Sequence, residues 1–315
     1  MRSDKYKQEE PIEEEKPKKK KKVSKDINKE LEPAEEKTPN RLLIFLKNIL
    51  ITLVIVIVLF FTYAHFIEPS ILKTNEYKIE SPNIPDTFNG IKMVHLSDIH
   101  YGTTFTKKDI KKLIEEIDKI NPDIVFFTGD LINKDIELNE EEQKEITDLL
   151  KEIKPSLNKY AVLGDEDNTK TKDILNNAGF KTLENEPNLL YYKGTIPIEI
   201  VGFNNDKDID YSIINNEAAS AYENIYKIIL VHNPNQIDDI LNYNPDIILS
   251  GHNLGGTINI KGIKKGFLKE QKYNELYYHI NNTEIYISNG LGTSHIQLRV
   301  NNVPSINFYR LYKTS

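Results

Sequence analysis

Cysteine and tryptophan are absent from the 315-residue chain, and methionine occurs only twice. Without thiols there is no disulfide framework, no cysteine-ligated zinc or iron–sulfur centre and no thiol nucleophile. Excess positive charge is also missing. The chain carries a formal net charge of −7, and because residues 1–41 hold 13 basic and 11 acidic side chains, the remainder stands at −9. An acidic body argues against nucleic acid as a partner, since phosphate contacts require a basic face.

Residues 1–40 contain few large apolar side chains and an unbroken lysine run at Lys18–Lys22. Such a segment buries too little surface to offset its chain entropy and reads as a disordered charged tail. It gives way abruptly to Leu42–Ala64, LLIFLKNILITLVIVIVLFFTYA. This is long enough to cross roughly 30 Å of hydrocarbon at 1.5 Å per residue. We therefore expect one transmembrane helix over residues 41–66, a linker over 67–80 and a globular α/β domain over 81–315. Arg41, Lys37 and Lys47 lie before or at the start of the span, whereas Lys73 is the first base after it. The bias toward basic residues on the inside predicts a single-pass protein of the cell membrane. Its amino terminus would be cytoplasmic, its domain extracytoplasmic and its partner the lipid bilayer.

Within the globular region, short β-rich apolar runs alternate with amphipathic stretches. Strands are expected at Ile91–Leu96, Ile124–Thr128, Tyr160–Leu163, Leu190–Tyr192, Ile198–Phe203, Lys227–Val231, Asp246–Leu249, Glu284–Ser288 and Ser305–Leu311, and helices at Lys107–Ile120 and Glu141–Ile153. Five of these strands run into side chains able to bind a metal: Asp98 and His100, Asp130, Asp165 to Asp167, His232, and His252. In open α/β sheets ligands bind beyond the carboxyl ends of strands, so these groups should converge on one rim. Oxygen and imidazole donors without thiolates suit Mn, Fe or Zn. Gly129, Gly164 and Gly251 precede ligand positions and supply the tight turns. His95 reads as a packed core residue, and neither His65 nor His279 is given a role.

The order Asp98-Ile-His100, Gly129-Asp130, Gly164-Asp165-Glu166-Asp167, His232 and Gly251-His252 resembles the calcineurin-like metallophosphoesterases, in particular their membrane-associated YkuE-like bacterial branch. The resemblance implies a four-layer α/β/β/α sandwich and a hydrolase of phosphomono- or diesters using metal-activated hydroxide. It implies one or two divalent ions (Mn, Fe or Zn) and a metal set of Asp98, His100, Asp130, Asp165, His232 and His252, with Asp130 bridging. Three positions depart from the family pattern. Leu254 replaces the second histidine of Gly-His-x-His, where Asn253 or water would have to fill the gap. Asp165 replaces an asparagine ligand, and Glu166 replaces the general-acid histidine. Glu166 is therefore the candidate proton donor, with a pKa lowered by nearby cations, and turnover is expected to be slow. Asp167 is expected to orient a neighbour. His295 and Arg299, after a glycine-rich loop, are candidates to meet the substrate phosphate. The rival expectation is a degenerate relative that binds metal or ligand without turnover, as an envelope sensor or scaffold.

Overall fold

The computed structural model describes residues 40–204, 209–216, 220–260 and 272–315. The expected charged tail, apart from Asn40, lies outside them. The chain divides into two compact units, Met1–Ile51 and Thr52–Ser315. Helix α1 (Arg41–Thr62) buries none of its residues. With the turns after it, it forms Arg41–Ser70, the one helical segment among the described residues long and apolar enough to cross a membrane. A π-helical turn, Tyr63–Ile67, and a 3-10 turn, Glu68–Ser70, follow it.

Two six-stranded sheets build the second unit. In the first, β1 (Lys73–Ser81), β12 (Ser305–Lys313), β2 (Lys92–Leu96), β3 (Ile124–Phe127), β4 (Asn158–Ala161) and β5 (Lys181–Thr182) lie side by side in that order. In the second the order is β10 (Tyr277–Ile280), β11 (Thr283–Ile287), β9 (Ile247–Ser250), β8 (Tyr226–Val231), β7 (Ile198–Phe203) and β6 (Glu186–Leu190). Helices α2 (Lys107–Ile120), α3 (Glu140–Lys151) and α4 (Thr169–Asn177) connect strands of the first sheet. The short α5 (Ile237–Leu241) lies between β8 and β9.

Burial on both faces explains why the strands read as nearly continuous apolar runs. Along β8, Ile228 and Leu230 join a core with Met93, Phe126 and Tyr160 of the first sheet. The alternate residues Ile229 and Val231 pack with Ile237 and Ile240 of α5. On the other side, Val94, Val125 and Phe127 meet Leu113 and Ile117 of α2, Leu149 of α3 and Ile174 of α4. Two capping boxes, Thr106 with Asp109 and Asn139 with Glu142, fix the starts of α2 and α3.

The linker expected at residues 67–80 is corrected here: β1 occupies Lys73–Ser81 and pairs in parallel with β12 along its whole length. Its burial pattern is mostly exposed, so the sequence lacks the apolar run that marks an interior strand.

Candidate active site

Strands β2, β3 and β4 are parallel neighbours in one sheet, and β8 and β9 in the other. Their carboxyl ends bring the loops carrying the polar residues together. Two contacts tie the loops across the sheets. The backbone N–H of His252 donates to the Asp98 carboxylate at 3.1 Å, and Nδ1 of His232 lies 2.7 Å from the Thr128 carbonyl.

The backbone is strained where the ligands sit. Asp98, His100, Asp130 and His252 all have positive φ, between 41° and 69°. Left-handed conformations at non-glycine residues cost of order 1–3 kcal/mol each and gather at functional sites. Two glycines permit the crowding. A Cβ at Gly164 would overlap the Asp130 carboxylate, and one at Gly251 would overlap Ser97 and crowd Asp98.

Two clusters result, each with ligand atoms within 4.8 Å of one another: Asp98, His100 and Asp130, and Asp165, His232 and His252. Asp130 stands between them. Its Oδ2 is 3.2 Å from Nε2 of His232 and 3.7 Å from Nε2 of His100, while Oδ1 accepts the Glu166 N–H at 2.9 Å. Nδ1 of His252 completes the second cluster, 3.3 Å from Nε2 of His232 and 3.1 Å from Asp165. In His232 and His100 the outer ring nitrogen is engaged, by the Thr128 carbonyl and by Glu166 respectively. Nε2 of each ring is thereby turned toward Asp130.

Electrostatics point the same way. Burial disfavours the imidazolium of His232, yet the Asp130 carboxylate beside it pushes the pKa up to about 10. Burial likewise opposes ionisation of Asp130, but His232 and His100 hold it at about 2. Asp98, fully buried, is raised by desolvation. Buried carboxylates facing inward-directed imidazole nitrogens are costly unless protons or a cation neutralise them. The donor set therefore fits divalent cations, bound with proton release.

Glu166, expected as the proton donor, is held by three groups. Its Oε2 lies 3.2 Å from Nδ1 of His100; Ser294 Oγ donates to it at 2.7 Å and the Lys134 backbone N–H at 3.0 Å. Burial would raise its pKa, but these partners, His100 first, hold it at about 2. Its carboxylate thus lies behind the His100 ring, on the side away from Asp130. Asp167 accepts from the N–H groups of Asp130, Leu131 and Gly164, and so fixes the turn that presents Asp130.

Arg299 also departs from expectation, because it is fully buried and does not reach the cavity. Its guanidinium donates to the carbonyls of Asn289, Gly292 and Asn302. An arginine after a glycine-rich loop looks the same in sequence whether it faces substrate or backbone. His295 does line the cavity, with its Nε2 3.3 Å from Nζ of Lys134. Leu254 is buried at the cavity wall in a 3-10 turn and offers no donor side chain. No role was anticipated for Lys134, which belongs to no motif, or for Ser294, which ends the glycine-rich loop. The cavity they line has a volume of about 450 Å³ and also exposes His100, Asp130, Asp165, Glu166 and His252.

Comparison with known proteins agrees with this arrangement. A family model described as Calcineurin-like phosphoesterase matches residues 91–255, more than half of the chain. YkuE of Bacillus subtilis (strain 168), an uncharacterized metallophosphoesterase, is 28% identical over 263 residues, covering 80% of this chain and 90% of that protein. Phosphodiesterase YaeI of Escherichia coli (strain K12) is 23% identical over 257 residues, covering 80% of this chain and 92% of its own. UDP-2,3-diacylglucosamine pyrophosphatase LpxG of Chlamydia muridarum (strain MoPn / Nigg) is 22% identical, covering 64% of this chain and 75% of its own. Five strand-end motifs, two donor clusters and this match identify the chain as a member of the calcineurin-like phosphoesterase family, a hydrolase of phosphoric ester bonds.

Proposed function

We propose that the chain is a membrane-anchored, metal-dependent phosphoesterase acting on phosphomono- or diesters that are lipid- or envelope-linked. Its amino end is cytoplasmic and its catalytic domain extracytoplasmic. The observation that carries the activity is the place of Asp130 Oδ2, which faces a histidine of each donor cluster. Asp98, His100 and Asp130 would hold one ion; Asp130, Asp165, His232 and His252 would hold a second, drawn from Mn, Fe or Zn. When bound, such ions supply a water nucleophile at neutral pH and neutralise charge on the phosphoryl oxygens.

The chain's own residues do the rest. Glu166 and the Thr128 carbonyl set the tautomers of His100 and His232, and Asp167 fixes the turn under Asp130. Lys134 and His295, on the cavity wall, receive the phosphate of the substrate. With Glu166 ionised, general-acid help of the usual ~10²–10⁴-fold is lost from that position, and esters with good leaving groups react best. Three core clusters, one between the sheets and one on each outer face, support a four-layer stack. The names of the relatives support the ester and lipid readings: one is a phosphodiesterase and another a lipid-precursor pyrophosphatase. The apolar span and the basic residues before it support the anchoring and its direction.

The test is an assay of the full chain in detergent with an aryl phosphodiester and an aryl phosphomonoester, supplemented with each metal in turn. Turnover with at least one metal is expected. Metal binding without turnover of either ester would favour the sensor or scaffold reading, for which Leu254 and Glu166 are the supporting residues.

A further inference from the structure

The turns that follow α1 are joined to the loop that walls the cavity. Ala64, fully buried, offers its carbonyl to the backbone N–H of Arg299 at 2.9 Å. His65 Nδ1 lies 2.6 Å from the Gln297 carbonyl. The buried carboxylate of Glu68 accepts the N–H of Asn302, whose side chain in turn donates to the Leu254 carbonyl. Arg299 continues the connection to Asn289 and Gly292. The chain leaving the apolar span is thus fixed to the loop bearing Ser294, His295 and Ile296, three residues of the cavity wall.

The outward side chains along this junction are apolar. Phe66 is 68% exposed, Ile67 49%, Ile71 40% and Ile296 39%. His65 and Gln297, the paired residues, are the chain neighbours of Phe66 and Ile296 respectively. Beside them stands an unusual run of charge. The first six residues of α2 include Lys107, Lys108, Lys111 and Lys112, although cations at a helix amino terminus oppose its dipole. Lys112 Nζ donates to the Ser70 carbonyl at 2.7 Å, at the end of the junction. Lys108 and Lys111 are exposed and form no ion pair among the described residues. Apolar side chains flanked by lysines match the boundary between acyl chains and anionic headgroups.

We infer that Phe66, Ile67, Ile71 and Ile296 form a bilayer-seated rim, with Lys108 and Lys111 against anionic headgroups, that holds the mouth of the cavity at the lipid surface. The partner is the membrane in which the chain is anchored. The inference rests on the anchoring part of the proposal and not on turnover. Because the junction is fixed by hydrogen bonds and not by a free linker, the cavity faces the lipid and does not roam above it.

The absence of tryptophan supplies a clean reporter. Ile296→Trp, in the full chain reconstituted into phosphatidylcholine–phosphatidylglycerol nanodiscs, places a single indole on the rim. Tyr191→Trp places one at an exposed site on the strand end after β6. With brominated acyl chains, emission from the first is expected to be blue-shifted and quenched by about half or more, and that from the second unchanged. Adding Lys108→Glu and Lys111→Glu should weaken quenching in discs containing phosphatidylglycerol. If Ile296→Trp is quenched no more than Tyr191→Trp, the rim does not touch lipid and the inference fails. The readout requires neither metal nor turnover, so an inactive protein would not be mistaken for an unseated one.

Discussion

Oε2 of Glu166 stands 3.2 Å from Nδ1 of His100, and this pair decides what Glu166 does. A carboxylate behind a metal-binding histidine fixes the ring and raises its basicity. In the proposed reading, the carboxylate beyond the β4 strand end supports a ligand instead of protonating a leaving group.

Glu166→Gln should therefore lower metal affinity by about 10–100-fold while leaving the shape of the pH–rate profile unchanged once metal saturates. Metal titration followed by a profile at saturating metal measures both. Loss of one limb of the profile with unchanged affinity would restore the glutamate as proton donor.

Leu254→His restores a donor beside the Asp98–His100–Asp130 cluster, where the native side chain is buried against Gly290. Metal content measured by mass spectrometry should rise from nearer one to nearer two ions per chain. A native protein that already holds two ions tightly would show that leucine leaves no gap.

Arg299 and His295 are four residues apart in sequence but differ in role, and their variants should differ accordingly. Arg299→Met strands the carbonyls of Asn289, Gly292 and Asn302 and should cost about 3 kcal/mol or more in denaturant unfolding. His295→Ala, at an exposed position, should change stability by no more than about 0.5 kcal/mol. It should raise KM roughly tenfold, as expected for one lost charge-assisted contact to phosphate.

Much of the site was legible because ligands at strand ends announce themselves: a run such as Ile124–Phe127 closing on Gly129-Asp130 is both a structural and a chemical signal. Its place among apolar neighbours within a strand put His95 in the core, where its ring nitrogens meet Thr128 and Tyr309. What stayed hidden depended on contacts between residues far apart in the chain. β1 is an edge strand with an exposed face, so no apolar periodicity marks it, and most of Lys73–Ser81 fell within the expected linker. The burial of Arg299 follows from three carbonyls supplied by loops that sequence cannot bring together. The roles of Glu166 and Lys134 depend likewise on which side chains face them across the cavity.

Glu199, fully buried on β7, gives a pH signature outside the site. Burial raises its pKa from 4.5 to about 7, against the pull of Asn216 and Lys227. The fold favours the protonated acid, so the stability this group contributes is present below about pH 4.5 and is lost as pH rises to about 7. The stability difference between native protein and Glu199→Gln should fall with a slope of up to about 1.4 kcal/mol per pH unit between pH 5 and 7, then level off. A difference that does not vary with pH would mean that Glu199 ionises normally.

The central claim is that Asp130 is shared by two donor clusters, and it is tested most directly by measuring metal content and phosphodiesterase turnover together in native protein and Asp130→Asn. The account predicts bound Mn, Fe or Zn and turnover in the native protein, and loss of both in the variant, with far-ultraviolet circular dichroism unchanged. A folded Asp130→Asn protein that keeps its metal and its rate would contradict it.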